Sequence, residues 1–314
     1  MYAIGMDIGG TNTVVGIVDR EGHVVASDSV KTQDYPLINE YVTAVSTRIE
    51  QMMNNLKLSF NDMAGLGIGA PNGNYYRGTI EFAPNLPWKG VVIPLASLFS
   101  NALEGMKVVV TNDANAAAMG EKAYGAAKDM NHFIMITLGT GVGSGIVVDG
   151  KVLYGKDGFA GELGHVIVRP EGRMCGCGRR GCLETYCSAT GIVRTAKEKL
   201  KEMPTTDSPL RDIENITSKD IYDAAVEGDK LAIDIFNETG TLLGQSLANM
   251  VAFSSPEAII LFGGLAKAGD LIMKPTYEAM EENMFSIYRG TTRLLMSQLN
   301  DAEAAVLGAS ALVW

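Results

Sequence analysis

IGMDIGGTNTVVGIVDREGHVVA, residues 4–26, reads as an apolar strand, a Gly/Thr turn, a second apolar strand, an Asp/Gly turn and a third short strand. Residues 134–155, IMITLGTGVGSGIVVDGKVLYG, repeat that order. At an offset of 130, Gly9 falls on Gly139, Ile17 on Val147, Val18 on Val148 and Asp19 on Asp149, and the second copy is two residues shorter at its last turn. A single echo this far apart predicts two related lobes, because a solenoid would repeat every ~20–50 residues.

Outward from the two copies, strand and helix patterns alternate. Ile38, Tyr41, Val42, Val45, Ile49, Met52, Met53 and Leu56 follow helical spacing. Residues 65–71 and 106–113 read as buried strands, and 115–125 as an Ala-rich helix stopped by Gly125. Helices are expected over 188–203, 218–227 and 229–253, a strand over 258–264, and a final helix near 302–313. The alternation predicts an α/β fold with mixed sheets. Residues 1–112 are expected to form a smaller lobe, completed by the C-terminal helix 302–314, and 113–301 a larger one. The segment 203–218, with two prolines and no apolar period, is expected to be a mobile loop. The net charge of −10 lacks the electrostatic footprint of a nucleic-acid binder. MYAIGMDIGG has no basic region ahead of an apolar run, and no stretch nears ~18 apolar residues, so a cytoplasmic protein without a membrane span is expected.

DIGGTN (7–12) and LGTGVGSG (138–145) place glycines and threonines between strands, where bare amides and hydroxyls could meet a phosphate. Neither is a Walker loop nor a GxGxxG that opens a helix, and each alone reads equally as a tight hairpin. Two copies in register, one begun by Asp7, favour phosphate. Asp7 is a candidate to hold Mg²⁺, directly or through water. FGGLAKAG (262–269) follows a strand and opens a helix, a turn suited to a phosphate or an adenosine. Asn112 and Asp113 end a strand and begin a helix, so Asp113 reads equally as a helix N-cap.

The hairpin opened by DIGGT, its second copy and the later GG loop resemble the actin-like ATPase superfamily of sugar kinases. Within it, CGCGRRGCLE (175–184), AGELGH (160–165), APNLPWKG (83–90) and TNDANAAAMGE (111–121) resemble the ROK family (repressors, open reading frames, kinases). The resemblance implies a two-lobed, ribonuclease H-like fold with a duplicated βββαβα core and a zinc-binding loop. It implies ATP-dependent phosphorylation of the 6-hydroxyl of a hexose, glucose first, with N-acetylmannosamine or N-acetylglucosamine as alternatives. A sugar-sensing transcriptional regulator is the alternative of another class. It is disfavoured because the phosphate strand starts within the first residues, leaving no room ahead of it for a helix-turn-helix. Carried over residue by residue, Asp113 is the general base, and Asn85, Asn112, Glu162, His165 and Glu184 join it at the sugar. Asp7, Gly9, Gly10, Thr11, Asn12, Thr140, Gly141, Gly263 and Gly264 fall at the nucleotide. A homo-oligomer, most often a dimer, is implied in the same way.

His165, Cys175, Cys177 and Cys182 form a soft nitrogen–sulfur set of four, suited to a closed structural Zn²⁺ site. The competing disulfide is disfavoured in a cytosolic chain, and one residue alone separates Cys175 from Cys177. A knot there would brace Glu162 and Glu184, which flank its ends. Cys187 lies outside the pattern and is expected to pack in a helix. One departure stands out: many ROK members carry glycine after the proline of GAPNGNYY (69–76), where this chain has Asn72, a polar group expected beside the sugar.

Overall fold

The computed structural model describes residues 1–300 and 303–314, so the first residue of the helix expected at 302 lies outside the described residues. The chain opens with β1 (Tyr2–Ile8), β2 (Asn12–Val18) and β3 (Val24–Lys31), an antiparallel meander. α1 (Ile38–Asn55) leads back to β4 (Met63–Gly69), parallel to β1. A small antiparallel sheet follows, made of β5 (Gly73–Asn74), β6 (Thr79–Glu81) and β7 (Val92–Ile93). Next come α2 (Leu95–Ala102), then β8 (Val108–Thr111), parallel to β4, and α3 (Asp113–Tyr124). The main sheet has the order β3-β2-β1-β4-β8.

The plan then recurs with β9 (Phe133–Leu138), β10 (Val142–Val148) and β11 (Lys151–Val152). α4 (Glu184–Cys187), α5 (Ala189–Glu202), α6 (Ser218–Val226) and α7 (Lys230–Ser254) precede β12 (Ala258–Phe262), α8 (Asp270–Asn283) and β13 (Arg293–Met296). The second sheet runs β11-β10-β9-β12-β13, matching the first strand for strand. The repeat in the sequence is therefore a repeat of topology. α9 (Ala304–Ser310) and a 3₁₀ turn (Ala311–Val313) end the described elements.

By compactness the chain divides into residues 1–131, 145–161 and 298–314 on one hand, and 132–144 and 162–297 on the other. The division does not fall at Asn112. α3 stays with the first unit because Gly120 and Gly308 let it lie against α9: a Cβ on Gly120 would stand 2.8 Å from the Gly308 Cα. α9 in turn lies directly on β1 and β4. A Cβ on Gly5 would stand 2.0 Å from the Val306 carbonyl oxygen, and one on Gly67 1.9 Å from that of Ala309. Only glycine permits backbone to meet backbone at that range.

α1 buries Tyr41, Val45, Ile49, Met52 and Met53 against that sheet, the face its spacing predicts. Each such side chain contributes roughly 1.5–3 kcal/mol on burial. The Tyr41 hydroxyl, fully buried, lies 2.8 Å from Thr13 Oγ1, so its polar end is satisfied. In the second unit, α7 and α8 pack together, and Pro275 sits inside α8 beside Gly240 of α7. The segment 203–218 departs from expectation. Leu210 is fully buried, Ile216 nearly so, and the Ser208 hydroxyl donates to Asp229 at 2.9 Å. Two isolated apolar residues anchor it without any period. Among the described residues no helix is long and apolar enough to cross a membrane.

Candidate functional site

In the first unit, the turn between β1 and β2 is closed by Gly9 N–H donating to the Asn12 carbonyl at 2.9 Å. Its carbonyls are drawn away to the end of β3. Thr32 Oγ1 donates to the Gly9 oxygen at 2.9 Å, Gln33 Nε2 donates to that of Gly10, and Thr32 N–H donates to that of Thr11 at 2.9 Å. Bonded oxygens repel an approaching anion less, which suits a phosphate turn. Thr11 and Asn12 are exposed, Gly9 and Gly10 half-buried. Asn85 comes to the same place: a Cβ on Gly10 would stand 2.9 Å from the Asn85 carbonyl oxygen, and Asn85 is exposed. The loop holding it is pinned by Trp88, whose indole donates to the Tyr35 carbonyl at 3.0 Å and whose ring packs on Tyr41.

Asp7 stands near the C-terminal end of β1 and Asp113 just past that of β8, the two strands that flank β4, whose last residue, Gly69, lies between them. A Cβ on Gly69 would lie 3.5 Å from the Asp113 Cα and 3.7 Å from Asp7 Oδ1. Glycine there keeps the space between two acids clear. Desolvation by burial, then repulsion from Asp113, pushes the Asp7 carboxyl up to about 6. Desolvation also raises Asp113, against the hydrogen bond from the Ala114 amide at 2.8 Å. The helix N-cap is Asn112, not Asp113: Asn112 Oδ1 accepts from Ala114 N–H at 2.8 Å, while Asp113 is the first residue of α3. Capping is thus supplied by the neighbour, and Asp113 keeps an open edge to solvent although its carboxyl is largely desolvated.

The raised acid sets a testable stability sign. A carboxyl that titrates at about 6 folded and 3.8 unfolded binds more protons in the native state between those values. Stability from this group is therefore present at low pH and lost as pH rises through about 6. Asp7→Asn should stabilise the ligand-free protein at pH 8 by roughly 3 kcal/mol and leave it almost unchanged at pH 4. Thermal unfolding at the two pH values checks this; a variant no more stable at pH 8 than the wild type would contradict it.

Asn72 shapes a turn. Its φ of 53° lies in the left-handed region, which favours glycine and asparagine, and its side-chain amide donates to the Glu81 carbonyl at 2.9 Å. It stands in for glycine as a turn former. The next residues hold a loop that sequence reasoning missed. Asn74, fully buried, donates to the Asp157 carbonyl at 2.8 Å, and the Tyr75 ring stacks on Tyr154 at 4.1 Å.

In the second unit, the turn between β9 and β10 mirrors the first: Gly139 N–H donates to the Gly141 carbonyl at 3.1 Å. Thr140 is exposed. Gly143 N–H donates to Thr137 Oγ1, also at 3.1 Å. Glu184 reaches this hairpin: Val142 N–H donates to its Oε2 at 3.1 Å, and a Cβ on Gly141 would stand 2.2 Å from that oxygen. The AGELGH segment packs on it as well. Leu163 N–H donates to Ser144 Oγ at 3.0 Å, and Gly164 lies against the Val142 carbonyl. Glu162 and His165 bracket the single 3₁₀ turn so placed, Glu162 exposed and His165 half-buried.

His165, Cys175, Cys177 and Cys182 converge, their ligand atoms all within 4.8 Å of one another. Cys177 Sγ and Cys182 Sγ are 3.7 Å apart, and Cys175 Sγ is 3.6 Å from His165 Nδ1. A tetrahedron of ~2.3 Å Zn–S bonds has edges near ~3.8 Å, so the donor set fits zinc in both chemistry and size. All four cysteines are free thiols, as the zinc reading expects. Cys187 is fully buried in α4, its thiol turned to the Thr239 carbonyl. Gly263 follows β12 with a φ of 103°, and a Cβ there would stand 2.7 Å from the Leu138 carbonyl oxygen. Beside Gly264 opens a cavity of about 390 Å³ lined by Tyr222, Phe236, Leu265, Lys219 and Lys267.

A family model described as "ROK family" matches residues 3–314. The glucokinase of Thermotoga maritima is 35% identical, over 99% of this chain and 96% of its own. The xylose repressor of Caldicellulosiruptor bescii is 31% identical over 84% of this chain and 66% of its own. Among solved structures, a ROK family glucokinase from Streptomyces griseus in complex with glucose and AMPPNP superimposes with a TM-score of 0.80 at 34% identity, covering 99% of both chains.

Proposed function

The chain belongs to the ROK family, and from that membership we propose that it is a hexokinase, transferring the γ-phosphoryl group of ATP to the 6-hydroxyl of glucose. The observation that carries this is the Asp7–Asp113 pair flanking Gly69 beside the first hairpin, in a chain similar over its whole length to a glucokinase that binds glucose and a nucleotide analogue.

Asp113 accepts the proton of the 6-hydroxyl as that oxygen attacks the γ-phosphorus. The new P–O bond forms as the bond to the β–γ bridging oxygen breaks, leaving glucose 6-phosphate and ADP. Its raised pKa matches it to this work, since a carboxylate that holds a proton more tightly is a stronger base. Asn85, Asn112, Glu162, His165 and Glu184 orient the sugar hydroxyls. The hairpins at Gly9–Asn12 and Thr140–Gly141 receive the phosphates, and the cavity beside Gly264, walled by Tyr222 and Phe236, has the size and lining for a nucleobase.

Mg²⁺ carried with ATP would spread the phosphate charge, with Asp7, an oxygen donor crowded by a second acid, as its holder, directly or through water. Zn²⁺ at His165, Cys175, Cys177 and Cys182 would be structural, since four protein donors leave no open position. A homodimer in solution and a cytoplasmic setting complete the reading.

A coupled assay with purified protein across glucose, N-acetylmannosamine and N-acetylglucosamine tests it. Glucose should be phosphorylated with the highest kcat/KM. Turnover of N-acetylhexosamines with none of glucose would replace the sugar assignment.

A further inference from the structure

The second hairpin is gripped by a short segment that follows the zinc loop. Glu184 Oε2 accepts from Val142 N–H at 3.1 Å, Ala189 N–H donates to the Gly139 carbonyl at 2.8 Å, and Thr190 Oγ1 donates to the Thr140 carbonyl at 2.8 Å. Three bonds from seven consecutive residues thus fix three of the hairpin's four turn residues from Gly139 to Val142. The segment is itself stiff. Ser188 Oγ donates to the Glu184 carbonyl at 2.7 Å, accepts from Gly191 N–H at 3.0 Å as the N-cap of α5, and lies 3.0 Å from Thr190 Oγ1.

Two anchors hold that segment. On one side is the quartet of donors: Cys182 lies two residues before Glu184, and Cys175 Sγ is 3.6 Å from Glu184 Oε1. On the other is Arg173, whose side chain is only 9% exposed. Its guanidinium donates to the Thr185 carbonyl at 2.8 Å, the Gly191 carbonyl at 3.2 Å, Thr195 Oγ1 at 2.9 Å and Glu198 Oε2 at 2.5 Å. It also lies 4.4 Å from the centre of the Tyr186 ring. Four acceptors and an aromatic face suit the flat fork of arginine and no other side chain. The acceptors come from α4, the start of α5 and its second and third turns, so Arg173 binds the zinc loop to the elements that carry residues 184–190.

We propose that residues 184–190 are a positioning element for the ATP phosphates, with Thr190 and Arg173 as positioning residues that set nucleotide affinity from the sugar-binding side of the unit. The proposal rests on the reading of the second hairpin as a phosphate site. A turn receives a phosphate well only if its amides are already aimed, and each bond that fixes Gly139, Thr140 or Val142 removes disorder that ATP would otherwise have to quench on binding. The zinc knot, by this geometry, serves nucleotide as well as sugar.

Thr190→Val removes one donor and keeps the shape. It should raise the KM for ATP and the dissociation constant of AMPPNP about three- to tenfold, with the glucose KM and kcat within about twofold and zinc content unchanged. Thr190→Ser, which restores the hydroxyl, should return both values towards wild type. Arg173→Met keeps the stem but loses the fork, and should weaken AMPPNP binding about tenfold or more at full zinc occupancy. If Thr190→Val folds with wild-type AMPPNP affinity, the proposal fails. Should Thr190→Val not fold, Arg173→Met with zinc bound and AMPPNP affinity unaltered would equally end it. A wild-type protein that binds AMPPNP yet phosphorylates no hexose would instead defeat the hexokinase reading, so the two failures are distinct.

Discussion

Asp113→Asn is expected to lower kcat by about 10²–10⁴-fold while leaving glucose affinity nearly unchanged. The amide keeps an oxygen for the Ala114 amide, and Asn112 supplies the cap, so the start of α3 survives the change. What is lost is the site that takes the 6-hydroxyl proton. In the wild type the base must be ionised, so kcat rises with pH through the Asp113 titration. Burial places that limb above the ordinary carboxylate range. The limb should disappear in the variant. Rate measurements over pH, with calorimetric titration of glucose, separate the two effects. Near-normal turnover by Asp113→Asn would mean that another group is the base.

Loss of the metal is expected to be nearly as damaging, though through binding. Cys177→Ser should release zinc and raise the glucose KM by about 10–100-fold, with a smaller fall in kcat. Between Leu163 and Leu183, regular pairing is limited among the described residues to two isolated bridges, Ile167 with Cys182 and Met174 with Arg180. Turn-type backbone bonds such as Cys175 N–H to the Arg179 carbonyl complete the loop, the four donors draw its ends together, and Glu162 and Glu184 hang from those ends. Metal analysis of the purified variant and steady-state kinetics check this. A zinc-free protein with an unaltered glucose KM would show that the loop holds itself.

The hairpin repeat and the metal quartet could be read in the sequence for the same reason: their residues are near neighbours along the chain, and glycine, cysteine and histidine each have few other reasons to cluster. Gly9 against Gly139 is visible as text, and the matching sheet orders follow from it. What escaped is either long-range or single. Glu184 and Val142 are 42 residues apart, and nothing at either position announces the bond. Thr190 carried one faint signal, since Ser188 followed by Gly191 resembles a helix start, but not the Thr140 carbonyl it reaches. Nothing in the sequence around Arg173 announces the four acceptors that it gathers. The turn role of Asn72 escaped because a positive φ leaves no trace in composition; asparagine in a place that elsewhere suits glycine was the available sign. Leu210 and Ile216 show the limit of periodicity, which needs several residues to register, whereas one buried leucine can pin a loop.

The contact of α9 with Gly5 and Gly67 bears on how the protein is made. During synthesis a domain ordinarily closes as its own residues emerge, early ones first. Here the central strands of the first sheet have a bare glycine face on which the late residues 306–313 pack. Until these arrive, the nascent chain exposes an unfinished sheet while everything between is being translated, a long window for chaperone capture or mispairing. A change that blunts this late docking, such as Gly67→Val, would therefore reduce the yield of soluble protein even though it touches no ligand.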